Sequence, residues 1–177
     1  MLYVVPDDPA NVTYGDSAPA YTFKYYTDAA HTNPVTPTVA TPPTCGSTYT
    51  SSTPVSASPV TVSCGGGSNA GTAGSDAGYL FDYSSSSSLT IGKASSSTTV
   101  TCPPSAAYTG SALEPCSASV SGPGGLSQSL PVSYSDNTAR GSGTAGASAA
   151  FTGDDNHEGS GDSKTFSIVG PGFAAPE

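Results

Sequence analysis

The run Leu89-Thr90-Ile91-Gly92-Lys93-Ala94, followed by Thr98-Thr99-Val100-Thr101-Cys102, constrains this chain more than any other stretch. Leu89 and Ile91 alternate with Thr90, the period of two that marks a half-buried strand. Gly92 then interrupts the pattern with a residue that accepts any backbone angle. Thr98 to Thr101 resume as β-branched residues, which favour an extended chain. The pattern predicts the last strand of one domain, a hinge of a few residues, and the first strand of the next. Two domains joined by so short a hinge cannot tumble freely.

A split at this hinge gives domains over 1–93 and 94–170, with 171–177 as a tail or linker. Each domain is long enough for a modest β-sandwich core. Only 10% of residues are charged, and there are 21 Gly and 16 Pro, a balance that can signal disorder. Ten Tyr, five Phe and repeated Val-x-Val alternations argue against disorder and for an all-β fold of two tandem small domains. The net charge of −9 rests on four basic residues, Lys24, Lys93, Arg140 and Lys164. They are scattered, so the chain lacks the basic stripe that nucleic-acid binding needs. No stretch approaches the roughly 20 apolar residues of a transmembrane helix. The amino terminus, Met1-Leu2-Tyr3-Val4-Val5, has neither the basic nor the long apolar region of a secretion signal. Met1 is then an added start or the chain is a piece of a longer exported protein, and the added start is preferred.

Four cysteines allow three connectivities. A boundary at residue 93 selects the pairs within domains, Cys45 with Cys64 and Cys102 with Cys116. Closing loops of about 19 and 14 residues stabilises each domain by roughly 3 kcal/mol in the chain-entropy model. Disulfides also place the protein outside the cytoplasm. None of the cysteines forms a C-x-x-C pair, which removes support for a zinc or thioredoxin-like site.

Along the first domain, Tyr21, Phe23 and Tyr25 alternate with polar residues and read as one face of a strand. Residues 28–43 read as loop, with room for a short helix near 27–31 and an edge strand around Val39. Strands are expected at residues 44–49 and 60–64, a flexible loop at 65–78, and strands again from Tyr79. The five serines 84–88 read as partly strand. In the second domain, Gly122-Pro123-Gly124-Gly125 is a strong turn. Strand signals cover Val100, residues 115–120, residues 130–134 with an edge-type Pro131, residues 143–151 and residues 164–168. Short strands at this spacing imply a sandwich or barrel. The apolar segment Leu2-Tyr3-Val4-Val5 is an exposed strand that adds to a neighbouring subunit, or an edge strand of its own domain, the favoured reading.

Val12-Thr13-Tyr14-Gly15-Asp16-x-x-Pro19, then Gly78-Tyr79-x-Phe81-x-Tyr83 and Leu89-Thr90-Ile91-x-Lys93, resemble the MBG modules of bacterial surface proteins. The resemblance implies a small β domain, β-grasp-like or immunoglobulin-like, strung in tandem along a large exported protein. Tyr108-Thr109-Gly110, Pro115-Cys116, Val132-x-Tyr134, Gly153-Asp154-x-Asn156-His157-x-Gly159-Ser160 and Ser163 to Ile168 resemble a bacterial Ig-like repeat, implying an Ig-like sandwich for the second domain. These motifs are turns and core positions, and they carry no activity.

Chemistry is correspondingly sparse. Serines abound, but only His31 and His157 exist, no G-x-S-x-G elbow occurs, and both histidines read as solvated loop residues. No phosphate-binding, zinc-protease or dinucleotide fingerprint occurs, so no enzyme is expected. The one candidate site is a Ca²⁺ set of Asp154, Asn156, Glu158 and Asp162, hard oxygen ligands within residues 153–162. Read as an EF-hand loop, its twelfth position is Thr165 rather than a bidentate Glu. The favoured reading is therefore a solvated turn, with Asp and Asn capping backbone amides and Gly159 and Gly161 supplying special angles. No cofactor is expected otherwise. Asn11-Val12-Thr13 fits a glycan acceptor pattern of low specificity.

The expectation is a non-enzymatic structural module of a bacterial extracellular or cell-surface stalk or filament. Its partners would be neighbouring Ig-like modules of the same or identical chains. The alternatives are an adhesin-type module gripping host or matrix carbohydrate or protein, which the adjacent Tyr25 and Tyr26 favour, and an Ig-like decoration domain of a phage virion.

Overall fold

Contacts divide the chain into two units, Met1–Gly92 and Lys93–Glu177, in a computed structural model that describes residues 1–68, 80–138 and 143–170. The boundary falls inside the Gly92-Lys93-Ala94 run. Both units are all-β, and the only helical pieces among the described residues are single 3-10 turns at Val55–Ala57 and Pro123–Gly125.

Unit 1 contains β1 (Leu2–Pro6), β2 (Val12–Thr13), β3 (Phe23–Tyr26), β4 (Pro34–Val35), β5 (Thr44–Ser47), β6 (Val60–Gly65), β7 (Phe81–Asp82), β8 (Ser86–Leu89) and β9 (Ile91–Gly92). One sheet has the order β4-β3-β1-β7, a second β5-β6-β8, and β2 pairs with β9. The alternation of β6, Val60-Thr61-Val62-Ser63-Cys64, buries every second residue. Val60 and Val62 join Val12, Tyr49, Leu89 and Ile91 in the core. The Tyr49 hydroxyl reaches through that core to donate to the Asp16 carbonyl at 2.9 Å.

The amino-terminal strand is neither exposed nor an edge. β1 lies between β3 and β7, antiparallel to the first and parallel to the second. Leu2 and Val4 are fully buried, because β1 also packs against β6 and β8 of the second sheet. The helix allowed near 27–31 does not form. Asp28 instead accepts from the Thr32 and Asn33 amides at 3.0 and 2.8 Å and from the Thr32 hydroxyl at 2.8 Å. These bonds to its charged form hold its carboxyl down at about 2 and close a turn in which His31 takes a φ of 55°. No strand forms at Val39; the edge is β4, and Thr41 bridges Ser68. The expected loop at 65–78 lies outside the described residues from 69 onward, as does the expected tail at 171–177.

Unit 2 contains β10 (Ser97–Thr101), β11 (Ser105–Ala107), β12 (Ser117–Gly122), β13 (Leu126–Leu130), β14 (Ser133–Ser135), β15 (Gly143–Phe151) and β16 (Ser160–Val169). Its sheets have the orders β10-β12-β13 and β11-β16-β15-β14. They face each other like the halves of a sandwich through contacts of β10 with β15 and β16. β15 buries Ala145, Ala147, Ala149 and Phe151 on one face. Val100 and Ala118 meet that face in one cluster, and Leu113, Phe166 and Ile168 in another. Pro131 does not continue a strand across residues 130–134: it separates β13 from β14, since a proline cannot donate to a ladder.

Phe166 is the largest fully buried side chain among the described residues, and its ring meets Tyr134 edge to face at 6.3 Å. Phe166→Ala should cost unit 2 about 3–5 kcal/mol, a large part of what a small domain has. Chemical denaturation followed by Tyr fluorescence checks this; a loss under about 1 kcal/mol would mean the cluster is not a packed core.

Candidate functional site

The candidate cation ligands lie on the turn between β15 and β16, residues 152–159, and at the start of β16. Gly153 takes a φ of 88° there, and a Cβ on it would stand 2.8 Å from the His157 carbonyl oxygen. The special angle therefore belongs to Gly153 rather than to Gly159 or Gly161. Gly159 serves close approach instead: a Cβ on it would lie 2.9 Å from the Phe151 carbonyl oxygen.

Asp154 caps this turn. Its Oδ1 accepts from the Asn156 and His157 amides at 2.8 and 2.7 Å and from His157 Nδ1 at 2.9 Å. Asp162 works elsewhere, accepting the Val100 amide of β10 and its neighbour Ser163, both at 2.8 Å. Glu158 is exposed; its backbone donates to the Ala94 carbonyl and accepts from Ser96 Oγ. The Asn156 carbonyl accepts from the Ala94 amide. Asp154 and Asp162 thus turn their carboxylates to separate groups, while Asn156 and Glu158 are tied in through their main chains. Among the described residues no group of three or more His, Cys, Asp or Glu side chains gathers as a metal site.

His157, expected to be solvated, is buried with 5% exposure. Its Nδ1 faces Asp154 and its Nε2 faces the Pro123 carbonyl oxygen at 2.9 Å. Both partners are acceptors, so they favour the form in which both ring nitrogens donate, the imidazolium. Burial opposes that charge most strongly. The Pro123 carbonyl and the Asp154 carboxylate together outweigh it, and the pKa of His157 is raised above 6.5. For Asp154, burial pushes the carboxyl up, but the Asn156 amide and His157 more than offset it and the pKa is lowered. Lys93 Nζ completes the group by donating to the Asp154 carbonyl at 2.5 Å. The cluster ties the β15–β16 turn to the β12–β13 turn and to the first residues of the unit. The sequence held no signal for this, because the Pro123 partner lies 34 residues away.

His31 is also not a free loop side chain. Its ring lies 5.9 Å from that of Tyr3 and 5.3 Å from that of Tyr26. Ser85 Oγ approaches its Nε2 at 3.5 Å, and Asp82 turns its carboxylate to the Ser84 amide at 2.8 Å.

The disulfides join the residues that the domain split selects. Cys45 stands directly opposite Cys64 across β5 and β6. Cys102 follows Thr101, the last residue of β10, and Cys116 precedes Ser117, the first residue of β12 and the partner of Thr101. The Tyr134 hydroxyl locks the second bridge in place, accepting from the Cys116 amide at 2.8 Å and donating to its carbonyl at 3.0 Å. Sequence reasoning placed Tyr134 only in the core; its polar task has no local signature.

No protein family, curated protein or solved structure matches this chain.

Two outcomes follow from this cluster. The raised pKa of His157 means that its contribution is complete below the unfolded value of about 6.5 and is lost as pH rises through the folded value. The lowered pKa of Asp154 gives the opposite arm, present above about 3.8 and lost as pH falls through its folded value. Unit 2 should melt highest between these limits, and His157→Ala should flatten the alkaline arm; an unchanged arm would contradict the imidazolium. Millimolar Ca²⁺ should leave the melting temperature unchanged, whereas a rise of several degrees would reveal a folded-state cation site.

Proposed function

We propose that this chain is a non-enzymatic structural segment of a bacterial extracellular surface protein, two disulfide-stapled β modules in series within a stalk or filament. In this reading unit 1 is an MBG-like module and unit 2 an Ig-like repeat. One observation carries the proposal. In each unit the residues that open it run parallel beside the residues that close it. In unit 1 the Leu2 amide donates to Leu80, the Val12 amide to Thr90 and the Tyr14 amide to Gly92, and β2 pairs in parallel with β9. In unit 2 Ala94 bridges His157 in parallel, and β11 pairs in parallel with β16. Parallel opening and closing segments put the entry and the exit of the chain at opposite ends of each unit. Each unit then adds its own length to whatever chain contains it. Disulfides within both units support an oxidising, extracellular setting.

Displayed on a cell beneath a fluorescent tag, two copies of the chain should raise the tag further from the membrane than one. An unchanged height would contradict the spacer reading.

A second reading, a binding module, is favoured by a groove of about 630 Å³ lined by Phe23, Tyr25, Pro34, Val35 and Pro37. Tyr25 lines it, and the Tyr25 hydroxyl is buried without a hydrogen-bond partner, an uncommon state. A glycan and matrix-protein array separates the two. The spacer gives no dose-dependent binding, while binding lost on Tyr25→Phe would move the assignment to an adhesin.

A further inference from the structure

Parallel opening and closing segments have a mechanical consequence that depends on direction. Tension on unit 2 pulls residues 94–102 toward their amino-terminal end and residues 157–169 toward their carboxy-terminal end. The segments run side by side in the same direction, so this slides one past the other. Hydrogen bonds that lie across the direction of sliding are loaded together rather than one after another.

The bonds in that seam are numerous. The Ala94 amide donates to Asn156 at 2.9 Å and the Glu158 amide to Ala94 at 2.8 Å. Ser96 Oγ and Thr98 Oγ1 each meet Ser160 Oγ at 2.8 Å. The Val100 amide donates to Asp162 at 2.8 Å. The Ser167 amide donates to Pro104 at 3.0 Å and the Tyr108 amide to Val169 at 2.9 Å. The seam thus runs from the first residues of the unit to the end of β16.

Cys102 interrupts the seam between β10 and β11. Its sulfur is bonded to Cys116, the residue before β12, and β12 is the central strand of its sheet. A covalent pull along β10 that reaches Cys102 therefore crosses the bond into β12. Residues 103–115, β11 among them, are bypassed.

We propose that unit 2 bears tension, its opening and closing segments forming a shear clamp and the Cys102–Cys116 bond routing the load from β10 into β12. β11 stays paired with β16 and out of the covalent load path while the bond is intact. This inference rests on the spacer reading, yet the two fail separately: tag height and array binding judge the spacer, and force judges the clamp.

The test is end-to-end stretching of the full chain by force spectroscopy. Cys45→Ser with Cys64→Ser lengthens the unit 1 event by about 60 Å, which tells the two events apart; if unit 1 no longer folds, unit 2 supplies the one remaining event. On that background two further variants are compared at equal loss of melting temperature. Asp162→Ala removes the acceptor of Val100 in the seam. Asn137→Ala removes a bond to the Leu113 carbonyl away from it. Asp162→Ala should lower the rupture force of unit 2 and Asn137→Ala should not. If Asp162→Ala does not fold, Ser160→Ala replaces it, since it loses the Ser96 and Thr98 contacts. Equal effects, or none, would overturn the clamp. Reduction of Cys102–Cys116 should add about 45 Å to the event and lower its force. Added length with unchanged force would overturn the routing.

Discussion

The parallel pairing of opening and closing segments is the constraint on which each unit depends. Antiparallel neighbours need only a tight turn between them, whereas a parallel pair requires the intervening chain to travel back before it can close. In unit 2 that returning chain is nearly the whole domain, β12 through β15. The pairing of β11 with β16 therefore encloses all of those strands in one connection. Once formed, it fixes both ends of the domain at once. Unit 1 repeats the device with different sequence, through β1 beside β7 and β2 beside β9.

The cores explain why such fixing matters. Three of the buried residues of β15 are alanines, and an alanine removes little apolar surface from water compared with a leucine or valine. The larger contribution comes from Phe166, Ile168, Val100 and Val120. Chain closure by Cys102–Cys116 adds about 3 kcal/mol in the entropy model, and Tyr134 holds that bridge against the same core. The His157 ring, whose charged form is favoured by its acceptors Asp154 and the Pro123 carbonyl, ties the two turns together. A buried charge of this kind persists only because both of its donors are answered.

What could be read from the sequence followed the range of the physical signal. β15 was legible across residues 143–151, because every second position from Ala145 to Phe151 is small or apolar and the period of two is unbroken. The within-domain cysteine pairs followed from one boundary. β1 was legible as a strand but not as the centre of a sheet, since Leu2-Tyr3-Val4-Val5 carries no mark of how many neighbours it will have. Ile91 of β9 was legible in the Leu89–Ile91 alternation, but nothing in a two-residue strand marks its parallel pairing with β2, so the seam of unit 1 was not. His157 was misjudged because a histidine among Asp, Asn and Gly has the composition of a solvated turn. Its burial is set by Pro123, a partner that only the folded chain brings near. Asp162 was grouped with Asp154 by closeness in sequence, although one caps a turn and the other holds the opposite sheet through the Val100 amide.

Amide hydrogen exchange tests the seam most directly, because each amide reports the smallest opening that frees it. The amides of Val12 and Tyr14 in unit 1, and of Val100, Tyr108 and Ser167 in unit 2, should exchange only through global unfolding of their own unit. Their rates should match those of β15 amides in unit 2 and β6 amides in unit 1. Exchange of these seam amides at the rate of the exposed turns, while β15 and β6 remain protected, would contradict the account.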